Sequence, residues 1–275
     1  MMRTIDLRLP RVLAAFAIAT TLAAPLAGCG SGVDSQLSGK SRFRNAAISY
    51  APTHKVKPSE ALDHSRDFEI HGIDVSKYQG NIDWQAVANS DVQFAWIKAT
   101  EGADHIDSKF RENWAGAKAA GVPRGAYHFV YWCRPWQEEM AWFKSNVPRE
   151  PDALPPVLDV EATPTSRTCK RTIYPEQAIP EMKLMLQEME RYYGKRPIIY
   201  TTVDFYESIL ANGALTEYPI WVRSTKHRPH VRYGSRKWHF WQYQSDGAVP
   251  GIVGKVDRNV FHGSPKEWQT WLASN

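Results

Sequence analysis

From Phe68 to the C-terminus, short apolar runs alternate with segments of helical period, the texture of a β/α architecture. The runs predict strands at Glu69–Val75, Phe94–Thr100, Gly125–Val130, Val157–Glu161, Pro197–Thr201, Pro219–Arg223, His239–Tyr243 and Val256–Phe261. Helices are predicted between them. Ser108–Ala120 has a serine to cap it and Gly121 past its end, Glu138–Ser145 follows the third strand, and Pro180–Tyr193 puts Met182, Met185, Leu186 and Met189 on one face. The last connections are too short or too rich in Pro and Gly for good crossover helices. The expected fold is therefore α/β: an irregular (β/α) TIM-like barrel of eight strands with reduced helices in its C-terminal part.

The N-terminal pattern is different. Arg3, Arg8 and Arg11 precede an apolar run from about Val12 to Leu26, which predicts an export signal over residues 1–28 rather than a membrane span. Leu26-Ala27-Gly28-Cys29 resembles the lipobox of bacterial lipoproteins, which implies cleavage before Cys29 and lipid on that cysteine; an ordinary signal with a chance cysteine and an uncleaved anchor helix are the alternatives. Residues 29–66 lack a sustained period and read as a tether, leaving 67–275 as the folded body.

Charge adds little. Loss of residues 1–28 takes away three Arg and one Asp and lowers the net charge from +5 to +3, with no dense basic run or recognition motif for nucleic acid. Of the three cysteines, Cys133 and Cys169 remain as a pair if Cys29 carries lipid, and export makes a disulfide the first reading, with two free buried thiols as the alternative. No ligand spacing for zinc is present. Neither a metal nor a cofactor is expected, and the body is expected to be a monomer.

The chemistry concentrates at "PPVLDVE" (155–161). Strand alternation sends Val157, Asp159 and Glu161 to one face, and two buried carboxylates there would repel unless cations or a shared proton relieve them. Functional side chains of a parallel barrel gather at the C-terminal ends of its strands. Those ends would supply Asp74 and Ser76, then Lys98, Thr100 and Glu101, then Tyr127 and His128, then Asp159 and Glu161. The later strands would add Tyr200, Trp221, Arg223, Trp241, Gln242, Tyr243, Asp257 and Asn259. Acids and flat rings at one mouth suit a sugar site. Within this set His128 reads as a hydrogen-bonded wall residue and Glu101 as a loop or supporting residue.

"HGIDVSKYQGNIDW" (71–84), "FAWIKATEG" (94–102), "GAYHF" (125–129), "PPVLDVE" (155–161), "RPIIYTT" (196–202), "YPIWVR" (218–223), "WQY" (241–243) and "VPGIVGKVDRNVF" (249–261) occur in this order. Together they resemble glycoside hydrolase family 25, the lysozymes of fungi, phages and bacterial autolysins, over residues 68–270. The resemblance implies cleavage of the β-1,4 bond between N-acetylmuramic acid and N-acetylglucosamine in peptidoglycan, with retention. It gives the acid role to Glu161 and supporting carboxylates at Asp159, Asp74 and Asp257, and it favours attack by the substrate's own acetamido oxygen with Asp159 orienting it, whereas strand spacing alone leaves a direct nucleophile and a water-activating base open. Tyr127, Tyr200, Trp221, Arg223, Trp241, Gln242 and Lys98 are the expected substrate-binding set. The expected protein is thus a membrane-anchored lipoprotein facing periplasm or wall, with peptidoglycan strands as its partner. A wall-binding protein without turnover and a glycosidase for another amino sugar polymer such as chitin are the alternatives.

Two segments are individual to this chain, 130–150 and 162–174. They follow neighbouring strands, so Cys133 and Cys169 could meet at the rim. Arg258, beside Asp257, is expected to point outward.

Overall fold

The structure, a computed structural model, describes residues 54–163 and 166–275. The expected signal, Cys29 and most of the tether lie outside these residues.

Among the described residues nine strands form one sheet: β1 (His71–Val75), β2 (Val92–Glu101), β3 (His105–Ile106), β4 (Arg124–Phe129), β5 (Val157–Val160), β6 (Ile198–Thr201), β7 (Ile220–Arg223), β8 (Phe240–Gly247) and β9 (Val256–Phe261). Their order is β1-β9-β8-β7-β6-β5-β4-β2-β3, and β1 also pairs with β2, so eight of them close a barrel. The short β3 only folds back on β2 as a hairpin. Strands β1, β2 and β4 to β8 run parallel, whereas β9 is antiparallel to both β8 and β1. This corrects the expectation of an eighth strand that delivers residues from its C-terminal end. Asp257 is the second residue of β9 and reaches the mouth because the strand is reversed.

Alternation sorts the side chains into two layers. Inside lie Ile70, Phe94, Trp96, Val157, Ile198, Trp221, Phe240 and Phe261, a mostly aromatic plug below the mouth. Two glycines, on the strands either side of β2, admit its large rings: a Cβ on Gly72 would fall 2.4 Å from Phe94, and one on Gly125 2.1 Å from Trp96. The opposite face packs against the helices, with Ile73, Ala95, Ile97, Leu158, Val160, Ile199, Val222 and Trp241 in that outer core.

The helices are α1 (Glu60–Ser65), α2 (Trp84–Ala88), α3 (Phe110–Ala119), α4 (Trp136–Asn146), α5 (Pro175–Tyr193), α6 (Val203–Phe205, running into a π-turn Tyr206–Leu210), α7 (Pro229–Tyr233) and α8 (Pro265–Ser274). α5 starts earlier than expected, with Pro175 in its first turn, and tolerates Pro180 because Ala178, Met182, Met185, Leu186 and Met189 are buried along one face. At α3 the side chain that ties the entry turn is Asp107, which accepts the Lys109 N–H at 2.9 Å, not the expected Ser108. α1 corrects the extent of the tether. It docks on the barrel through the Ala61 N–H to the Lys226 carbonyl at 3.2 Å and buries Ala61 and Ser65. Just before it, the Lys57 N–H meets Asp246 at 3.1 Å, so the folded body begins well before residue 67. Arg258 points outward as alternation requires and bonds Asp91.

Candidate active site

Each interior-facing position at the mouth follows from strand parity. Asp74 ends the interior row of β1, Lys98 that of β2, Tyr127 and Phe129 that of β4, Tyr200 that of β6, Arg223 that of β7 and Gln242 that of β8. Asp159 and Glu161 rise from β5, Glu161 one residue past the end of the strand. These side chains, with Ser76, Tyr78, Trp221 and Asp257, line a cavity of about 310 Å³.

A hydrogen-bonded ladder fixes Asp74. Its Oδ2 accepts the amide N–H of Asn259 at 2.8 Å and that of Gln242 at 2.9 Å. Behind these, the Tyr200 hydroxyl donates to Gln242 at 3.0 Å and the Trp221 indole donates to Asn259 at 2.8 Å. The amides are thereby oriented, since each has its oxygen occupied and its N–H free to donate inward.

The electrostatics are those of too many acids for the cations present. Burial pushes Asp74 up to about 6, with the Asn259 and Gln242 bonds and the Arg223 charge holding it back. Asp257 is pushed up to about 8, by burial first and then by the charge of Asp74. Burial also raises Glu161, opposed chiefly by Arg223. Asp159 is raised well above the usual carboxylate range by burial and then by Glu161. The Asp159 and Glu161 carboxyls act on each other through charge and a side-chain contact, which raises Asp159 and holds Glu161 back. Lys98 reaches Glu101 Oε2 at 2.8 Å and lies 5.0 Å from the Phe129 ring. Such a group of carboxyls can store and deliver protons near neutral pH, and the anionic members can steady a developing positive centre.

The expected catalytic and substrate-binding side chains are brought together with one exception, and of the wider mouth set Tyr243 also lies outside the cavity, bonded to outward Arg258 at 3.3 Å. Trp241 faces the outer layer, because it alternates with inward Gln242. It is fully buried against Phe68 and Trp238, and its indole donates to the Ser224 carbonyl at 2.9 Å. It cannot touch a ligand in the cleft. Trp221 does line the cavity, but only 2% of it is exposed, so it acts by holding Asn259. His128 is a buried wall residue, bonded to Thr100 at 2.7 Å and to Glu139 at 2.8 Å.

Two residues at the mouth escaped sequence reasoning. Phe129 lines it by the same parity as Tyr127. Tyr78 stands 81% exposed at the rim on a 3₁₀ turn, Lys77–Gln79, which a capping box of Ser76 and Gln79 fixes. The signal for Tyr78 was present: an aromatic in a tight, Gly-terminated turn directly after a barrel strand. Among the described residues, no group of three or more His, Cys, Asp or Glu is placed to hold a metal ion.

The rim is stapled by a disulfide between Cys133 and Cys169, joining the segments that follow β4 and β5. The Tyr131 hydroxyl adds bonds to Ser166 at 2.9 Å and to Thr168.

The sequence pattern of Glycosyl hydrolases family 25 matches residues 73–252. "Uncharacterized protein YegX" of Escherichia coli (strain K12) is 37% identical over 219 residues, 78% of this chain and 77% of that protein. "Lysozyme M1" of Streptomyces globisporus is 36% identical over 209 residues, 71% of this chain and 68% of that one. Among solved structures, a family 25 glycosyl hydrolase from Bacillus anthracis matches with a TM-score of 0.70 at 33% identity, over 80% of this chain and 99% of that chain.

Proposed function

The chain belongs to Glycosyl hydrolases family 25, and we propose that it is a peptidoglycan hydrolase that cuts the β-1,4 bond between N-acetylmuramic acid and N-acetylglucosamine. The observation that carries this reading is the Asp159–Glu161 pair of buried, mutually interacting carboxyls in a cleft ringed by Asp74, Asp257, Lys98 and Arg223. The likeness to lysozyme M1 supports the substrate class.

In this mechanism Glu161, whose hold on its proton burial strengthens, gives that proton to the glycosidic oxygen as the bond to the anomeric carbon breaks. The oxocarbenium-like centre develops beside the Asp74 carboxylate, which the Asn259 and Gln242 amides hold in place. The direct contact of Asp159 with Glu161 and the family resemblance both favour the substrate's own 2-acetamido oxygen as the nucleophile, over attack by Asp159 itself. Asp159 Oδ1, buried with no N–H donor directed at it among the described residues, accepts the acetamido N–H and strengthens the attack. Water, deprotonated by the now anionic Glu161, opens the resulting ring with net retention.

The same reading places the enzyme outside the cytoplasm, as a lipoprotein held by Cys29. A disulfide at the rim fits an oxidising compartment. No helix among the described residues is long and apolar enough to cross a membrane. The body works as a monomer, since one chain supplies every residue that the mechanism uses. Loss of labelled lipid and of detergent-phase partition in Cys29→Ala tests the anchor.

The test of activity is turnover of purified peptidoglycan by the chain and by Glu161→Gln, with new reducing ends identified by mass spectrometry. Muramic acid ends from the parent, lost in the variant, support the proposal. Binding without release would make the protein a wall-binding module, and turnover of chitin with N-acetylglucosamine ends would reassign the substrate.

A further inference from the structure

Glu161 has an unusual mooring. In a parallel ladder the carbonyls of residues two apart face the same neighbour, and the Asp159 carbonyl accepts the Val130 N–H at 3.0 Å. A continued ladder would give the Glu161 carbonyl the backbone N–H of residue 132. But β4 has ended at Phe129 and β5 at Val160, so that bond is not made. Instead the Trp132 indole N–H donates to the Glu161 carbonyl at 2.9 Å.

Trp132 is itself clamped from several sides. It is 1% exposed, and its ring stacks on Phe205 with centroids 5.4 Å apart and planes 17° from parallel. Its carbonyl accepts from Arg171 at 2.8 Å, and Arg171 is held in turn by Gln177 and Glu181. On one side, the Tyr131 N–H donates to the buried Glu139 carboxylate at 3.0 Å. On the other, Cys133 is joined to Cys169.

We infer that Trp132 is a positioning residue for Glu161: its indole replaces the missing ladder bond and holds the acid's backbone at the mouth, and the disulfide and Arg171 keep the indole in place. The inference rests on the proposed acid role of Glu161. Without the N–H, the unladdered Glu161 swings toward solvent and loses its contact with Asp159. The groups facing Glu161 are Asp159 on its own strand, Asp74 of β1, Lys98 of β2, Tyr200 of β6, Arg223 of β7 and Asp257 of β9. Burial outweighs the cations among them, so release toward water moves the Glu161 carboxyl down toward its ordinary value.

The test is Trp132→Phe, which keeps a ring on Phe205 and removes only the donor. Expected are a kcat lower by about ten- to a hundredfold, the cost of an acid displaced by about an ångström, and a KM within about twofold. The alkaline limb of the pH–kcat profile should move to lower pH. Arg171→Ala, a half-exposed change, should move kcat and the limb in the same direction but less. A ¹³C-carboxyl titration of Glu161 reads the same displacement without turnover. The inference is overturned if the Glu161 titration and the limb stay in place in both variants, whether kcat falls or not. If the parent turns over no peptidoglycan while the titration does shift, the positioning stands and the muramidase reading fails.

Discussion

Asp257→Asn should make the protein more stable at neutral pH, and the gain should vanish in acid. The folded-state pKa of Asp257 is raised from 3.8 to about 8, by burial and by the neighbouring Asp74 charge. Between those values the folded protein holds a proton that the unfolded chain releases, so stability falls as pH rises through this window. At ~1.36 kcal/mol for each pH unit above the unfolded value, the cost at pH 7 reaches about 4 kcal/mol. Solvent at the half-open mouth reduces it to about 2–4 kcal/mol. Asparagine keeps the shape without the charge and removes that cost. Thermal melts of parent and variant from pH 4 to pH 8 check this. At ~2–4 °C per kcal/mol for a domain of this size, the variant should melt roughly 5–15 °C higher at pH 7 and within about 2 °C at pH 4. A difference that does not change with pH, or a variant less stable at pH 7, would refute the reasoning.

The other predictions concern packing and the rim. Tyr78→Ala, removing an 81%-exposed ring at the cleft, should raise KM for peptidoglycan several-fold and leave the melting temperature within about 1 °C. Trp241→Phe, which loses the bond to Ser224, should cost about 1 kcal/mol in urea melts with KM unchanged; a raised KM would put Trp241 back in the cleft. Gly125→Val drives a side chain into Trp96, 2.1 Å from the first added carbon, and should destabilise by about 3 kcal/mol or more, seen as loss of soluble protein. Reduction of Cys133–Cys169, which closes a loop of 36 residues, should cost about 3–4 kcal/mol in a melt with and without reductant.

Much of this architecture is legible in the sequence because parity is. Val157, Asp159 and Glu161 alternate with Leu158 and Val160, and so could be assigned to one face before any coordinates. The reversed direction of β9 is not legible, because a strand's faces alternate identically whichever way it runs; Asp257 and Asn259 point inward either way. Trp241 was misassigned from its aromatic character beside Gln242, although two adjacent strand residues cannot both face the barrel interior. Short α1 hides for another reason. Six residues cannot hold a helix alone, and what stabilises this one is its Ser59 cap and a dock on Lys226, far along the chain. Trp132 was invisible because its role is set by two strands ending together, a fact of register and not of pattern.

The reversed strand also bears on when the enzyme comes into being. β9 sits between β1 and β8, so the strand that closes the cylinder comes after all the other strands of the barrel in the chain. Until it arrives, β1 and β8 each present an unpaired edge. Asp74 also lacks Asn259 until then, and Asp257 is missing from the mouth. A chain halted short of residue 256 is therefore sticky and chemically incomplete at once, so a nascent hydrolase of this build stays harmless until β9 has emerged and inserted.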